Sequence, residues 1–360
     1  MMSNTGNKGE WSEFYALLKL ITDKKVYAAD ENLNTLTNYY PVLKVITDKG
    51  NRSEISYNLQ KADIIEVLRP NGDIIKSLEV ESLKAHVQEI FNLILSSKKA
   101  FRIELAEKLQ DELCKPSLRA KSVMKADIFV ILHDIVTQIN REIGFSIKSQ
   151  AGSPATLLNA SGATNFTFIA TVSKPSDDLM HKLNEPGNIR GRIKLLEELG
   201  GSLQFDSIDN QTFCTNLRII EGLMPELVSF LLIAYYRDGV SSLEKLVELI
   251  ELANPLAEKG FVLDANMYGI KIKNLLTEVA LGMTPSKPWN GLSEANGGYL
   301  IIKSNGELVC YHIYDRDIFK EYLIKHTKLE APSKTRHKFG NFYLDNGIIK
   351  IKLNLQIRFK

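Results

Sequence analysis

Cysteine is scarce in this chain. There are three in 360 residues, Cys114, Cys214 and Cys310, far apart and odd in number. That argues against a disulfide framework or a cysteine-built zinc site, and it fits free thiols in a reducing cytoplasm. The six histidines show no metal-ligand spacing. No run of eighteen apolar residues occurs, and the first residues, MMSNTGNKGEWSE, are polar. Neither a transmembrane span nor a signal peptide is therefore expected, and the expectation is a cytoplasmic protein with no membrane partner. Phosphate-cradling loops are missing as well: there is no GxxxxGK followed by Ser or Thr, and no GxGxxG after a strand. An excess of one charge is also lacking. The formal net charge is +2, from 45 Lys and Arg against 43 Asp and Glu, so any basic surface must come from local clustering.

What is present is ordinary globular material, 44% apolar and 24% charged, enough for one large or two modest domains. Phe14, Leu17, Leu18 and Ile21 mark a helix over residues 9 to 22. Residues 26 to 75 read as strands, with turn signals at Asp48-Lys49-Gly50-Asn51 and Pro70-Asn71-Gly72-Asp73. Two helical stripes follow, Leu83 to Ile94 and Phe101 to Leu113. KADIFVILHD, GFSIKSQ and NFTFIATV read as three consecutive strands. Helices are expected over 191 to 200 and 222 to 252, the latter split near Asp238-Gly239, and the last hundred residues return to strands. This order predicts an α+β (mixed α/β) fold without βαβ units. The expected division is residues 1–180, with the first helix, the strand-rich region and a catalytic core, and residues 181–360, helical and then strand-rich, within one continuous body or two.

The chemistry concentrates in KADIFVILHD and GFSIK. A simple antiparallel hairpin turning at Thr137 and Gln138 sets Asp127 opposite Lys148, with Cβ atoms roughly 5 Å apart. An acid facing a lysine at a sheet edge is a common structural ion pair. A second acid changes that weighing. Glu10 lies four, seven and eleven residues before Phe14, Leu17 and Ile21, on the apolar side of the first helix. A carboxylate there is costly unless paired, capped or bound to metal. An N-terminal acid favoured by the helix dipole is the plainer alternative, and Glu13, one turn on, is placed to share the role. Carboxylates that hold Mg²⁺, with a lysine beside them, are what metal-dependent phosphodiester hydrolysis needs.

These residues carry a resemblance. Asp127 followed by Ser146-Ile147-Lys148 resembles the PD-(D/E)xK nuclease core, an acid on one strand and acid-x-Lys on the next. The segments NKGEWSEFYALLKL, YAADENLN, GFSIKSQAGSPATLLNAS, PSKTRHKFG and KLNLQIRF resemble the HpaII-type family of type II restriction endonucleases, from the first twenty residues to the last ten. The resemblance implies a Mg²⁺-dependent nuclease cutting double-stranded DNA at a short palindrome, CCGG, between the two cytosines. It implies Asp127 as metal ligand, Lys148 as catalytic lysine and Glu10 as the second, metal-binding acid. A cognate methyltransferase is implied as a functional companion, and a homodimer on the palindrome is compatible with it. The chain departs from the pattern at Ser146, where the family core has an acid, and at Ala126, where it has proline.

Within that frame, the loop after Lys148 offers Gln150, Ser153, Thr156, Asn159, Ser161, Thr164 and Asn165 as small donors and acceptors for phosphates and base edges. The segment PSKTRHKFG adds Ser333, Lys334, Arg336, His337 and Lys338. Arg336 is the expected reader of guanine, because bidentate Arg to O6 and N7 is the commonest specific major-groove contact. The last strand alternates Ile349, Ile351, Leu353, Leu355 and Ile357 with Lys350, Lys352, Asn354, Gln356 and Arg358, which predicts a half-buried strand with a basic face. Arg190 and Arg192 are weaker DNA-contact candidates. Lys98 and Lys99 read as surface charge at a helix end. Two other functions stay open: a structure-specific repair or junction nuclease, and a DNA-binding protein silenced by Ser146.

Overall fold

A computed structural model describes residues 5–115, 118, 126–135, 137–262 and 265–360. In chain order its elements begin with α1 (Lys8–Asp23), β1 (Lys25–Ala29), β2 (Thr35–Thr47), β3 (Ile55–Asn58), β4 (Ile64–Leu68), β5 (Ile74–Glu79), α2 (Val80–Ser96) and α3 (Glu104–Glu112). Next come β6 (Ile128–His133), β7 (Asn140–Ser149), β8 (Thr156–Leu158), β9 (Asn165–Thr171), α4 (Asp177–Asn184), α5 (Ile189–Glu198), β10 (Ser202–Ile208) and α6 (Gln211–Ile220). Then follow α7 (Met224–Asp238), α8 (Leu243–Ala253), α9 (Met267–Leu281), β11 (Gly298–Ile302) and β12 (Leu308–His312). The chain ends with α10 (Arg316–His326), β13 (Thr327–Leu329), α11 (Lys334–His337), β14 (Phe342–Asp345), β15 (Ile348–Asn354) and β16 (Ile357–Phe359). The fold is mixed α+β, and no described helix is long and apolar enough to cross a membrane.

Two compact units share the chain: residues 1–155 with 293–322, and 156–292 with 323–360. This differs from a division at residue 180. The chain leaves the first unit at the small, turn-forming run Ser149 to Ala155 and returns to it with β11 and β12. In the first unit, the described strands form one sheet in the order β1-β12-β11-β7-β6-β2-β3-β4-β5. The β7–β11 and β1–β12 pairs are parallel and the others antiparallel. Helix α1 covers this sheet. Asn7 caps it through the backbone N–H of Glu10, whose carboxylate accepts in turn from Asn7 N–H. Its stripe of Trp11, Phe14, Leu17, Leu18 and Ile21 is 0–1% exposed. Each such side chain contributes about 1.5–3 kcal/mol by leaving water.

The hairpin of β6 and β7 sits two residues out of the expected register. Ile128 pairs with Phe145 and His133 with Asn140, so Asp127 falls opposite Ser146, not Lys148. The turn closes between Asp134 and Ile139, whose N–H and C=O join at 3.1 Å, with Gln138 in the left-handed region. A slip of two keeps every side chain on its face, so Asp127, Ser146 and Lys148 still share one side. Gly144 makes the approach possible: a Cβ there would stand 2.7 Å from the Ala126 Cβ and 2.9 Å from the Phe129 ring.

NFTFIATV does not continue this sheet. It forms β9 of the second unit, in a sheet ordered β10-β9-β15-β14, while β13, β16 and β8 make a three-stranded sheet. The helices expected at 222 to 252 are α7 and α8, divided by Gly239 at φ +77°. The last hundred residues are not all strand. Helix α9 buries Tyr268, Ile272, Leu275, Leu276, Val279 and Leu281, so broadly that no amphipathic stripe marks it in the sequence. The final alternation also breaks: β15 ends at Asn354 and β16, in the other sheet, begins at Ile357.

Candidate active site

Strands β6 and β7 assemble the polar centre. The backbone N–H of Asp127 donates to the Phe145 carbonyl at 2.8 Å, which seats the acid at the strand entrance. Its Oδ2 accepts from the Ser146 hydroxyl at 3.0 Å and from the Ile147 N–H at 2.7 Å. Lys148 Nζ donates to the same hydroxyl oxygen at 3.0 Å. The lysine thus reaches the acid through Ser146. Its ammonium lies 5.1 Å from the centre of the Tyr299 ring, brought alongside by the parallel pairing of β11 with β7. Burial pulls the Lys148 pKa down, and the charges of Asp127 and Glu13 oppose that shift.

Helix α1 contributes Glu13 to this centre. Ser12 Oγ donates to Ser149 Oγ at 2.9 Å, pinning the helix to the end of β7. The Glu13 carboxyl is pushed up from 4.5 to about 7, first by burial and then by the Asp127 charge, with Lys115 and Lys148 pulling the other way. Lys115 is itself buried and pairs with Asp48 at 3.5 Å. Glu10, expected from its place on the wheel, is instead spent at the helix start, where it closes the capping box. Residues three apart share a helix face one turn apart, so Glu13, a turn further along, feels the Asp127 charge while Glu10 accepts from the N-cap N–H of Asn7. Glu13, Ser12, Lys148, Ser149 and Ser153 line a cavity of about 830 Å³.

This donor set suits a hard cation that keeps most of its water. Asp127 and Glu13 supply two carboxylates, and Glu13 is raised chiefly by burial and then by the Asp127 charge, a pairing that a cation would relieve. No group of three His, Cys, Asp or Glu among the described residues could enclose an ion. A closed tetrahedral zinc site is therefore not what these residues fit.

The expected DNA-reading residues fall into several roles. Gln150 accepts from the Ser304 N–H at 3.1 Å, and Asn159 is exposed. Thr156 pairs with Arg358 in the three-stranded sheet. Ser161 caps the turn at Gly162–Thr164. Asn165 is buried, accepting from the Asn354 amide at 2.7 Å and donating to the His337 carbonyl at 3.0 Å. Ser161, Thr164 and Asn165 are thus committed to holding the second unit together rather than offered to a ligand. Ser333 caps α11, whose turn of Lys334, Arg336 and His337 ends at Lys338 in the left-handed region. Lys334, Arg336 and Lys338 are exposed. Lys334 and Lys338 line a cavity of about 630 Å³ with Phe339, Tyr343 and Lys352.

The basic face of the last strand is neutralised internally. Lys350 pairs with Asp206 and Asp345, Lys352 with Asp209, and Arg358 with Glu330. Arg192 is not a surface contact either. It is buried and donates to the carbonyls of Pro186 at 2.9 Å, Gly340 at 2.5 Å and Asn184 at 3.3 Å, and to the Asn341 side chain. Its role is to fix the chain just after α11. Only its proximity to Gly187 and Gly191 marks it in the sequence, and that does not separate a buried arginine from an exposed one.

Comparison with known proteins places the chain in a class. A family model described as HpaII restriction endonuclease matches residues 7–359, and the chain belongs to that family, within the type II restriction endonucleases, which are site-specific deoxyribonucleases. The type II restriction enzyme HpaII of Haemophilus parainfluenzae is 38% identical to it over 357 residues, 99% of this chain and 98% of that one. No solved structure matches the chain.

Proposed function

We propose that this protein hydrolyses phosphodiester bonds in double-stranded DNA at a short palindrome, CCGG, with Mg²⁺, through a PD-(D/E)xK-type centre. The observation that carries the reading is the hydrogen-bonded series Lys148–Ser146–Asp127, whose Lys148 end lines one cavity with Glu13. Asp127 and Glu13 would hold the ion, which when bound polarises a phosphoryl oxygen and lowers the pKa of a bound water. Ser146 fixes the rotamers of both its neighbours, since its hydroxyl accepts from Lys148 and donates to Asp127. Lys148, its pKa lowered by burial, is poised to take a proton from the attacking water or to face the charge that builds on the phosphate. Asp127 Oδ2 is held by a hydroxyl and a backbone N–H, so the carboxylate does not reorient during the reaction. Arg336, exposed on α11, is the side chain best suited to reading guanine.

The test is a digest of unmethylated phage DNA by the purified protein with Mg²⁺, followed by sequencing of the fragment ends. Ends at CCGG with a short 5′ overhang are the expected result. Discrete ends at another tetranucleotide would keep the activity and correct the site. Intact DNA that is nonetheless retarded on a gel would overturn the hydrolytic reading in favour of a binding protein.

A further inference from the structure

The linker between α2 and α3 lies in the wall of the catalytic cavity. Ser97, Lys98 and Lys99 line the same 830 Å³ space as Glu13 and Lys148. Nothing in the sequence separates these two lysines from ordinary surface charge at a helix end. Their neighbourhood does. The cavity wall carries Lys8, Lys98, Lys99 and Lys148 against a single carboxylate, Glu13. Two of the four lysines are committed. Lys8 donates to the carbonyls of Leu95 at 2.8 Å and Ala151 at 3.0 Å, tying the end of α2 to the loop after β7. Lys148 donates to Ser146. Lys98 and Lys99 are exposed, and neither forms an ion pair or side-chain hydrogen bond among the described residues. Lys99 turns the chain at φ +62°, a conformation most side chains avoid, and both lysines lie on the wall.

A cavity lined this way takes an anion larger than one phosphate. Each strand of duplex DNA carries a charge about every 3.4 Å along the axis. A phosphate lying at Lys148 therefore brings its neighbours on the same strand to the wall of the same cavity.

We propose that Lys98 and Lys99 grip backbone phosphates flanking the one that is cut, setting the depth and register of the strand in the cavity without reading its sequence. This rests on the reading of the cavity as the DNA-cleaving site. The two lysines are positioning residues, since they lie apart from the Asp127–Ser146–Lys148 series.

The test measures binding of a CCGG duplex and of an unrelated duplex, without Mg²⁺, across a range of salt concentrations. The proteins compared are wild type, the double variant Lys98→Ala with Lys99→Ala, the double arginine variant at the same positions, and Lys76→Ala. Lys76 is exposed on β5 outside the cavity. Each lost phosphate contact removes about 0.9 from the slope of log K against log salt, so the double alanine variant is expected to lose about 1.8. It should weaken on both duplexes by the same factor, keep its thermal midpoint and, once Mg²⁺ is added, cut at unchanged positions. The arginine variant and Lys76→Ala should keep the wild-type slope. An unchanged slope in the double alanine variant, or weakening on one duplex alone, would overturn the proposal. Failure of the wild type to bind any duplex would overturn the reading of the cavity and the proposal with it.

Discussion

Replacing Glu13 by Gln should stabilise this protein while destroying its activity. The carboxyl is raised from 4.5 to about 7 by burial and by the Asp127 charge. A shift of about 2.5 units at about 1.36 kcal/mol each amounts to roughly 3 kcal/mol. The sign follows from proton binding. Between pH 4.5 and about 7 the folded state keeps a proton that the unfolded chain has released, so stability falls as pH rises through that window. Above about 7 the whole cost is present. Glutamine has nearly the same shape and no charge to lose. Urea denaturation without divalent cations should therefore show the two proteins equal near pH 4.5 and the variant ahead by about 3 kcal/mol near pH 8. Adding Mg²⁺ near pH 8 should close much of that gap by stabilising the wild type, since a cation between Asp127 and Glu13 offsets the charge that burial penalises. A gap that does not change with pH, or no gap near pH 8, would refute the assignment of Glu13 to the acid centre.

Four further outcomes separate the roles assigned above. Glu10→Ala should cost about 1 kcal/mol of stability through the lost capping box and leave cleavage intact; cleavage lost as fully as in Glu13→Ala would return the metal role to Glu10. Ser146→Ala, which cuts the link between Lys148 and Asp127, should lower cleavage by about 10–100-fold with DNA binding unchanged, in single-turnover assays and gel shifts. Arg192→Met should leave the Pro186, Gly340 and Asn184 carbonyls without their donor and cost at least about 2 kcal/mol in denaturant midpoint analysis. Arg336→Ala should relax discrimination by about 1–3 kcal/mol, read as cleavage of CCGG against single-base variants of it.

Much of the first unit was legible because its signals are periodic. The α1 stripe and the turns at Asp48–Asn51 and Pro70–Asp73 follow from alternation and turn chemistry and stand where expected, and the β6–β7 pair forms as expected but two residues out of register. What was not legible depends on long-range contacts. β9 leaves for a second sheet, and α9 is buried too broadly to show a stripe. The charges of Lys350, Lys352 and Arg358 look free in an alternating strand, and they are cancelled by Asp206, Asp345, Asp209 and Glu330 from elements distant in sequence. A sequence gives the sign of a charge and its face, and only the fold gives its partner.

The register of β6 on β7 shows how a site survives an imprecise reading. A shift of two residues replaced the direct Asp127–Lys148 opposition with Asp127 opposite Ser146, yet left all three on one face. Ser146 then stops being a defect in an acidic pattern. An acid at that position would stand directly across from Asp127 and add a like charge to a centre in which Glu13 is already held well above its usual range. A hydroxyl there donates to Asp127 and accepts from Lys148, so it orders both without adding charge. In the proposed centre the second acid is Glu13, supplied by α1 rather than by the strand. On this reasoning Ser146→Asp should not improve cleavage. It should push the pH dependence of activity toward higher pH and make the protein more dependent on Mg²⁺ for stability. Activity that rises in Ser146→Asp at neutral pH would show that the centre wants its third carboxylate on the strand after all.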